Sequence, residues 1–533
     1  MKKLLLSILI FPLYFSAQHT LIPDSNFEQA LIHANLDTVA DGKVTTSNIC
    51  YLDSLEIIGL SIYDLTGIQD FVSLNYLDCS YNYLTSLDFS NNNLLSHLEC
   101  KSCNLTNLNV TNNDSLIYLN CYNNDLSSID LNNIHLLTYL NCSNNYLSSI
   151  DLNNIHLLTY LNCSYNPLSS GINITNNPQL RHLDCSGNQL NNINVSSNNL
   201  LKVLYCYDNQ LSNLDISNNY NLELLHCGNN QLGFLDLSNN YNLELLYCGN
   251  NQLNNLDITT NILLYSLGCG SNQLSNLDVS SNSELLFLDC SYNNLTSLDV
   301  SPNTELDYLR LNNNPISTID LTYNLDLENF YCQNTSLSSL ELGQNLNLKR
   351  LHCDSSNLTV LDLSANNHLC ELACSNNNLN CLNVKNGNNY YMCVFRSYNN
   401  PNLYCIEVDD SIYSSMLWIP PIDTLVQINA QSFAVDSIVN YSTFCSNECS
   451  NAIPTASSKI ISSYVYPNPA SSFITIVTED NLSKINTSLY DLSGNLIFKG
   501  DNREININCF PSGIYMLKLE HNNQQELIKV VIQ

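Results

Sequence analysis

Residues 77–95 read LDCSYNYLTSLDFSNNNLL, and residues 246–264 read LYCGNNQLNNLDITTNILL. Both stretches follow one frame: an L-x-C-x-x-N-x-L half, then an L-D-L-S-x-N half, of ten and eleven residues. Alternating apolar positions such as Leu77 and Cys79, or Leu87 and Phe89, predict short strands with one buried face. The frame recurs along most of the chain. Cys79, Cys100, Cys121, Cys142 and Cys163 stand 21 residues apart, and after one inserted residue Cys185, Cys206, Cys227, Cys248, Cys269 and Cys290 continue the series. Leu311 takes the next place, and Cys332, Cys353 and Cys374 complete it.

A fixed period of this length marks a solenoid of stacked coils. Ten extended residues span at most roughly 33 Å, too little to ring a core between sheets about 10 Å apart. The coil is therefore the whole 21-residue unit, with the Leu/Cys strands in one parallel sheet and the L-D-L strands in a second. The ladder counts about sixteen coils, the last degenerate near Phe395, and an earlier coil starts at Leu55. LSSIDLNNIHLLTYLNCS occurs at both Leu126 and Leu147, which points to tandem copying of whole coils. Catalysis needs unlike residues at unique positions, and no H-E-x-x-H, G-x-S-x-G or P-loop pattern occurs. We expect no catalytic residues, no metal and no cofactor.

The L-x-x-L-x-C-x-x-N-x-L frame resembles the leucine-rich repeat, and its nested L-x-x-L-D-L half resembles a 21-residue bacterial variety. The resemblance covers Leu52 to Asp409. It implies a mainly β, right-handed solenoid whose consecutive strands line a recognition face. Asparagines three residues after the ladder cysteines, from Asn82 to Asn377, should pair backbone groups where the chain leaves the strand. A second asparagine ladder, from Asn92 to Asn366, follows the L-D-L strands and is expected to do the same.

Both ends of a solenoid need covers. Phe27, Leu31 and Leu36 have helical spacing behind a start at Asp24 or Ser25, and the segment resembles the amino-terminal cap of bacterial surface leucine-rich proteins. The stretch from Asn399, with the single tryptophan Trp418, reads as the matching terminal cap. Beyond it VYPNPASSFITIV, SLYDLSGNLIF and INCFPSGIYMLKLE read as strands broken by turns. They resemble the C-terminal sorting domain of the type IX secretion system of Bacteroidetes, which implies the secretion machinery as a partner. The amino terminus, MKKLLLSILIFPLYFSAQ, reads as a secretory signal peptide. The expected organisation is a signal peptide at 1–17, an N-terminal cap at 18–51, the solenoid at 52–409, a C-terminal cap and linker at 410–460 and a sorting β-sandwich at 461–533. No later apolar run is long enough to span a bilayer.

The chain has 17 Lys and Arg against 48 Asp and Glu, a formal charge of −31, which disfavours nucleic acid as a partner. Export permits disulfides among its 23 cysteines. In-register ladder thiols are about 4.8 Å apart and parallel, a poor geometry for bridging, so they read as buried free thiols. Cys405 and Cys445 are the expected capping disulfide.

If the ladder cysteines point inward, their neighbours point outward. The outward columns hold Tyr76, His97, Tyr118, Tyr139, Tyr160 and His182, then Tyr122, Tyr205, Tyr207, His226 and Tyr247, with Phe287, Tyr308, Tyr331 and His352 further on. Tyrosine combines contact area, a hydroxyl and few rotatable bonds, which suits a protein or glycan ligand. The plainer alternative is that the rings pack against one another along the sheet. An aspartate ladder, including Asp88, Asp215, Asp257 and Asp320, accepts turn hydrogen bonds or gathers divalent cations. The expected function is thus an exported recognition protein or adhesin, secreted or held at the outer surface; the alternative is a structural spacer with cation-dependent self-association.

Overall fold

The computed structural model describes residues 18–418 without interruption, and beyond them 433–435, 439–445, 463–466, 472–478, 486–491, 496–501, 504–508, 510–521 and 524–532. The expected signal peptide and most of the expected linker lie outside the described residues. The chain divides into two units at Thr443 and Phe444.

In the first unit every Leu/Cys half forms a three-residue strand, and the strands pair in parallel, in register and in chain order from Ser54–Glu56 to Phe433–Ala434. This sheet has 18 strands among the described residues. The last, Phe433–Ala434, comes from beyond the cysteine ladder and pairs with Val394–Arg396. Along the typical strand the central Leu is fully buried and the flanking residues are half-buried. All fourteen ladder cysteines are buried and unpaired, and Leu311 is buried in their row. The inserted residue before Cys185 is taken up at Gly171, whose φ of 86° no branched side chain adopts comfortably.

The chain leaves each strand through a residue in the left-handed region: Tyr81, Asn123, Asn144, Asn250 and their equivalents from Ser102 to Asn399 have φ between 52° and 61°. The next residue is the first-ladder asparagine. Asn251 shows what it does: Nδ2 donates to Cys227 O at 3.1 Å and Cys248 O at 3.0 Å, and Oδ1 accepts from Leu232 N–H at 3.0 Å. One amide thus pairs three backbone groups on two coils. Where the ladder departs from Asn, smaller groups do part of this: Cys103 Sγ reaches Cys79 O at 3.2 Å, and the Thr335 hydroxyl donates to Cys332 O at 2.9 Å.

The expected second sheet is realised only in pieces. On the L-D-L side Ser86–Asp88 pairs with Asn107–Asn109, and a four-stranded ladder joins Val360–Asp362, Cys381–Asn383, Cys405–Glu407 and Asn440–Ser442. Between Asn109 and Val360 no strand is described on that side. There the second asparagine ladder links the coils instead: Asn261 Nδ2 donates to Asn240 O at 2.8 Å and Leu237 O at 3.3 Å. A side-chain amide adds reach to a backbone donor, so main chains need not approach to ladder distance. The two asparagine ladders also differ in kind. The buried Oδ1 atoms of Asn198, Asn219, Asn240 and Asn261 have no partner, because the nearby turn N–H groups already bond within their own turn, as Asn240 N–H does to Leu237 O at 3.0 Å.

At the amino end a helix spans Ser25–His33, with Asp24 Oδ1 accepting from Asn26 and Phe27 N–H. The other oxygen of Asp24 takes Tyr63 N–H at 2.7 Å and so ties the cap to the first coil. Phe27 and Leu31 are buried over the end of the core. At the other end Asp410 caps a helix over Ser411–Leu417, and buried Trp418 stacks on Phe395 with ring centroids 4.5 Å apart.

Among the described residues the second unit holds two antiparallel sheets. Three strands, Ser463–Tyr466, Phe473–Thr478 and Glu504–Asn506, form one; Asn486–Asp491, Leu496–Gly500, Gly513–His521 and Gln524–Ile532 form the other. Ile474, Ile476, Leu489, Ile505, Leu517 and Val530 share its core.

Candidate functional site

The outward face of the long sheet gathers the predicted aromatic residues into a physically continuous row. Tyr76 and His97 are 6.4 Å apart between ring centroids, and His97 and Tyr118 5.9 Å. Tyr118, Tyr139, Tyr160 and His182 then stack face to face at 4.2, 4.3 and 4.3 Å, with planes within 11° of parallel. This spacing is the repeat of the sheet itself: identical residues in register on adjacent parallel strands place their rings one strand apart. From His182 the row crosses to the neighbouring column through Tyr205 at 5.8 Å, and Tyr207, His226 and Tyr247 continue it. It breaks at the next coil, then resumes at Phe287 and Tyr308, 4.6 Å apart, and passes to Tyr331 and His352. Tyr122 is exposed but makes no ring contact among the described residues.

Stacking decides what each ring offers. In the Tyr118 to His182 stretch the faces cover one another, so ring edges rather than faces are left for contact. Burial pushes the Tyr160 hydroxyl up to about 12, with help from Tyr139, and raises Tyr118, where Glu99 adds to burial. Burial also lowers His182, His226 and His352. Near neutral pH these groups add no charge to the row. Two arginines on this sheet are held by carboxylates of adjoining coils, Arg310 by Asp289 at 3.5 Å and Arg350 by Glu371 at 3.2 Å.

On the opposite side the aspartate ladder is engaged in turns. Asp88, Asp215 and Asp278 accept the N–H two residues on at 2.9 to 3.0 Å. Serine and threonine hydroxyls and these N–H groups hold Asp215, Asp257 and Asp320 below the usual carboxylate range. Among the described residues no cluster of three His, Cys, Asp or Glu is arranged to hold a metal, and no helix is long and apolar enough to cross a membrane. Cys381, Cys405 and Cys445 are each disulfide-bonded.

The sheet, its period and its buried cysteine row define a leucine-rich repeat solenoid. Residues 464–533 match the secretion system C-terminal sorting domain, so the protein is exported, to the cell surface or beyond it. The solved functional domain of InlJ from Listeria monocytogenes, described as including a cysteine ladder, is similar to it at 25% identity, with 97% of this chain and 99% of that chain covered and a TM-score of 0.64. In sequence, Internalin J of Listeria monocytogenes serotype 4b (strain F2365) is 36% identical over 70 residues, 13% of this chain and only 8% of that protein. YopM from Yersinia enterocolitica WA-314 shares the fold at 24% identity and a TM-score of 0.53, over 74% of this chain and 92% of that one. The plant peptide hormone receptor RGFR1, solved in complex with RGF2, shares it at 22% identity and 0.54, over 74% and 65%.

Proposed function

We propose that this protein is a non-catalytic recognition protein or adhesin that holds a protein or glycan ligand on the outward face of its Leu/Cys sheet. The exported, internalin-like solenoid supports a surface protein made for binding. The observation that carries the reading is the aromatic row from Tyr76 to Tyr247, half-buried rings in contact over nine successive coils. A spacer needs no large rings on its solvent face, whereas recognition surfaces use them for contact area at low entropic cost. The resemblance to a receptor solved with a peptide hormone is consistent with this reading, and the fold alone does not name the ligand.

Screening the exported full-length protein against glycan and protein arrays tests it. We expect binding that a Tyr118→Ala, Tyr139→Ala, Tyr160→Ala triple variant loses by at least tenfold and a triple Tyr→Phe variant, which keeps the stack, loses less. Self-association in calcium with no array binding would instead make the protein a spacer.

A further inference from the structure

The aromatic row is interrupted at one place, between Tyr247 and Phe287, and the break is a built notch. Here the sheet carries glycine at four outward positions on three adjacent coils: Gly228, Gly249, Gly268 and Gly270. Other coils have Asn120, Asn141 and Asn162 in the column of Gly268, and Ser143, Ser164 and Ser186 in that of the other three. Their absence opens a cavity of about 340 Å³ on the sheet surface, at the small end of ligand-site volumes.

The neighbouring side chains turn toward this space. Tyr247 lies across Gly268, where a Cβ would stand 2.9 Å from its Cδ1, and its hydroxyl meets Ser266 Oγ at 2.9 Å. Its only described ring contact is with His226 at an interplanar angle of 62°, so no second ring stacks on its face. On the far side Asp289 leans in, with Oδ1 3.2 Å from where a Gly270 side chain would begin. That carboxylate is fixed by Ser291 N–H and Oγ at 3.0 and 2.6 Å, and by Arg310 at 3.5 Å. Arg310 in turn donates to Asn312 at 3.1 Å.

We propose that this notch is a subsite for a neutral pyranose ring, one sugar of a glycan. The proposal rests on the recognition reading above and names the ligand class at this part of the face. A sugar has an apolar C–H face to lay on an unstacked tyrosine and hydroxyls to donate to an oriented carboxylate. The notch has no aliphatic wall to anchor a peptide side chain. A peptide cannot add as a strand here either, because the floor carbonyls are taken: Gly249 O by Asn229 N–H, Gly268 O by Cys248 N–H and Gly270 O by Asn250 N–H. Acidic sugars are disfavoured, since Arg310 is already paired, burial lowers His226 and the chain is strongly negative.

The test is calorimetric titration of the full-length protein with glucose, galactose and mannose and their neutral homopolymers. We expect saturable binding of at least one, weakened at least tenfold by Tyr247→Ala and by Gly268→Asn, which restores the residue of other coils and displaces the ring. Asp289→Asn should weaken it at least fivefold with little effect on melting, so loss of binding is separable from loss of fold. The Tyr118, Tyr139 and Tyr160 triple variant should retain single-sugar binding. Sugar binding that ignores all three notch substitutions overturns the assignment, as does a peptide ligand lost in Gly268→Asn. Array binding that maps to the tyrosine stack without any neutral-sugar binding overturns the subsite alone; absence of every ligand overturns the recognition reading as well.

Discussion

The two halves of each coil share one frame and behave differently. In the first, L-x-C-x-x-N, the backbone is laddered, the turn residue is left-handed and the asparagine amide is paired at both ends. In the second, L-D-L-S-x-N, most coils have no ladder, the amide nitrogen bridges coils, and the amide oxygen is buried without a partner. The cysteine of the first half is replaced in the second by larger apolar residues such as Phe89, Val110, Leu131 and Ile258. An asparagine at one spacing thus has two roles, set by whether the preceding coil offers a free N–H.

The largest expected difference between the halves is their response to alkali, since only the first carries thiols. Burial pushes Cys121, Cys206 and Cys248 up to about 12, and raises the rest of the fourteen-residue row. A group whose folded pKa is raised stabilises the fold below its unfolded value, about 8.5, and loses that contribution as pH rises. Each fully buried thiol should cost about 1.4 kcal/mol per pH unit above that point. Denaturant melts of the reduced protein from pH 8 to 11 should show a steep fall, shallower by one thiol's share in Cys248→Ala. A flat profile would mean the thiols ionise in place.

Next in size is the contrast between the two amides. Asn251→Ala strands Leu232 N–H and takes one of two asparagine donors from Cys227 O and from Cys248 O, about 3 kcal/mol for an unpaired buried donor and two lost hydrogen bonds. Asn261→Ala also takes one of two donors from Leu237 O and Asn240 O, but it strands no N–H and removes an unpaired oxygen, so about half that loss is expected. Equal losses in urea melts would show that the orphan oxygens have partners in solution. A smaller effect is expected on the face itself: Tyr139→Ala gives up two stacking contacts, about 2 kcal/mol, and Tyr139→Phe should restore most of it.

Much of this was legible because a repeat states its own register. Once Cys79 to Cys374 were placed inward, the outward columns followed, and Leu311 and the extra residue before Cys185 became visible as departures. The discontinuous second sheet was not legible: alternation at Leu87 and Phe89 reports which side chains are buried, not whether neighbouring main chains come within bonding distance. The left-handed residues were missed because Tyr81, Asp208 and Tyr292 give no glycine signal. The notch was missed for a related reason. Gly228, Gly249, Gly268 and Gly270 form no motif along the chain, and only stacking shows that the four absent side chains adjoin.

The halves should also separate in acid, each in its own window. On the first, burial lowers His182, His226 and His352, so the unfolded chain binds their protons more readily. Their contribution is complete above the unfolded histidine value, about 6.5, and declines as pH falls below it. On the second, turn hydrogen bonds lower Asp215, Asp236, Asp257, Asp278, Asp299 and Asp320, whose contribution is complete above about 3.9 and declines below it. Melting temperature should therefore fall slightly between pH 7 and 5, level off, and fall again below pH 4. His182→Gln should flatten the first step only, and Asp257→Asn the second only. A single acid transition moved by both substitutions would mean that the two sides of the coil do not lose stability independently, and that the shared core couples them more tightly than their separate hydrogen-bond networks imply.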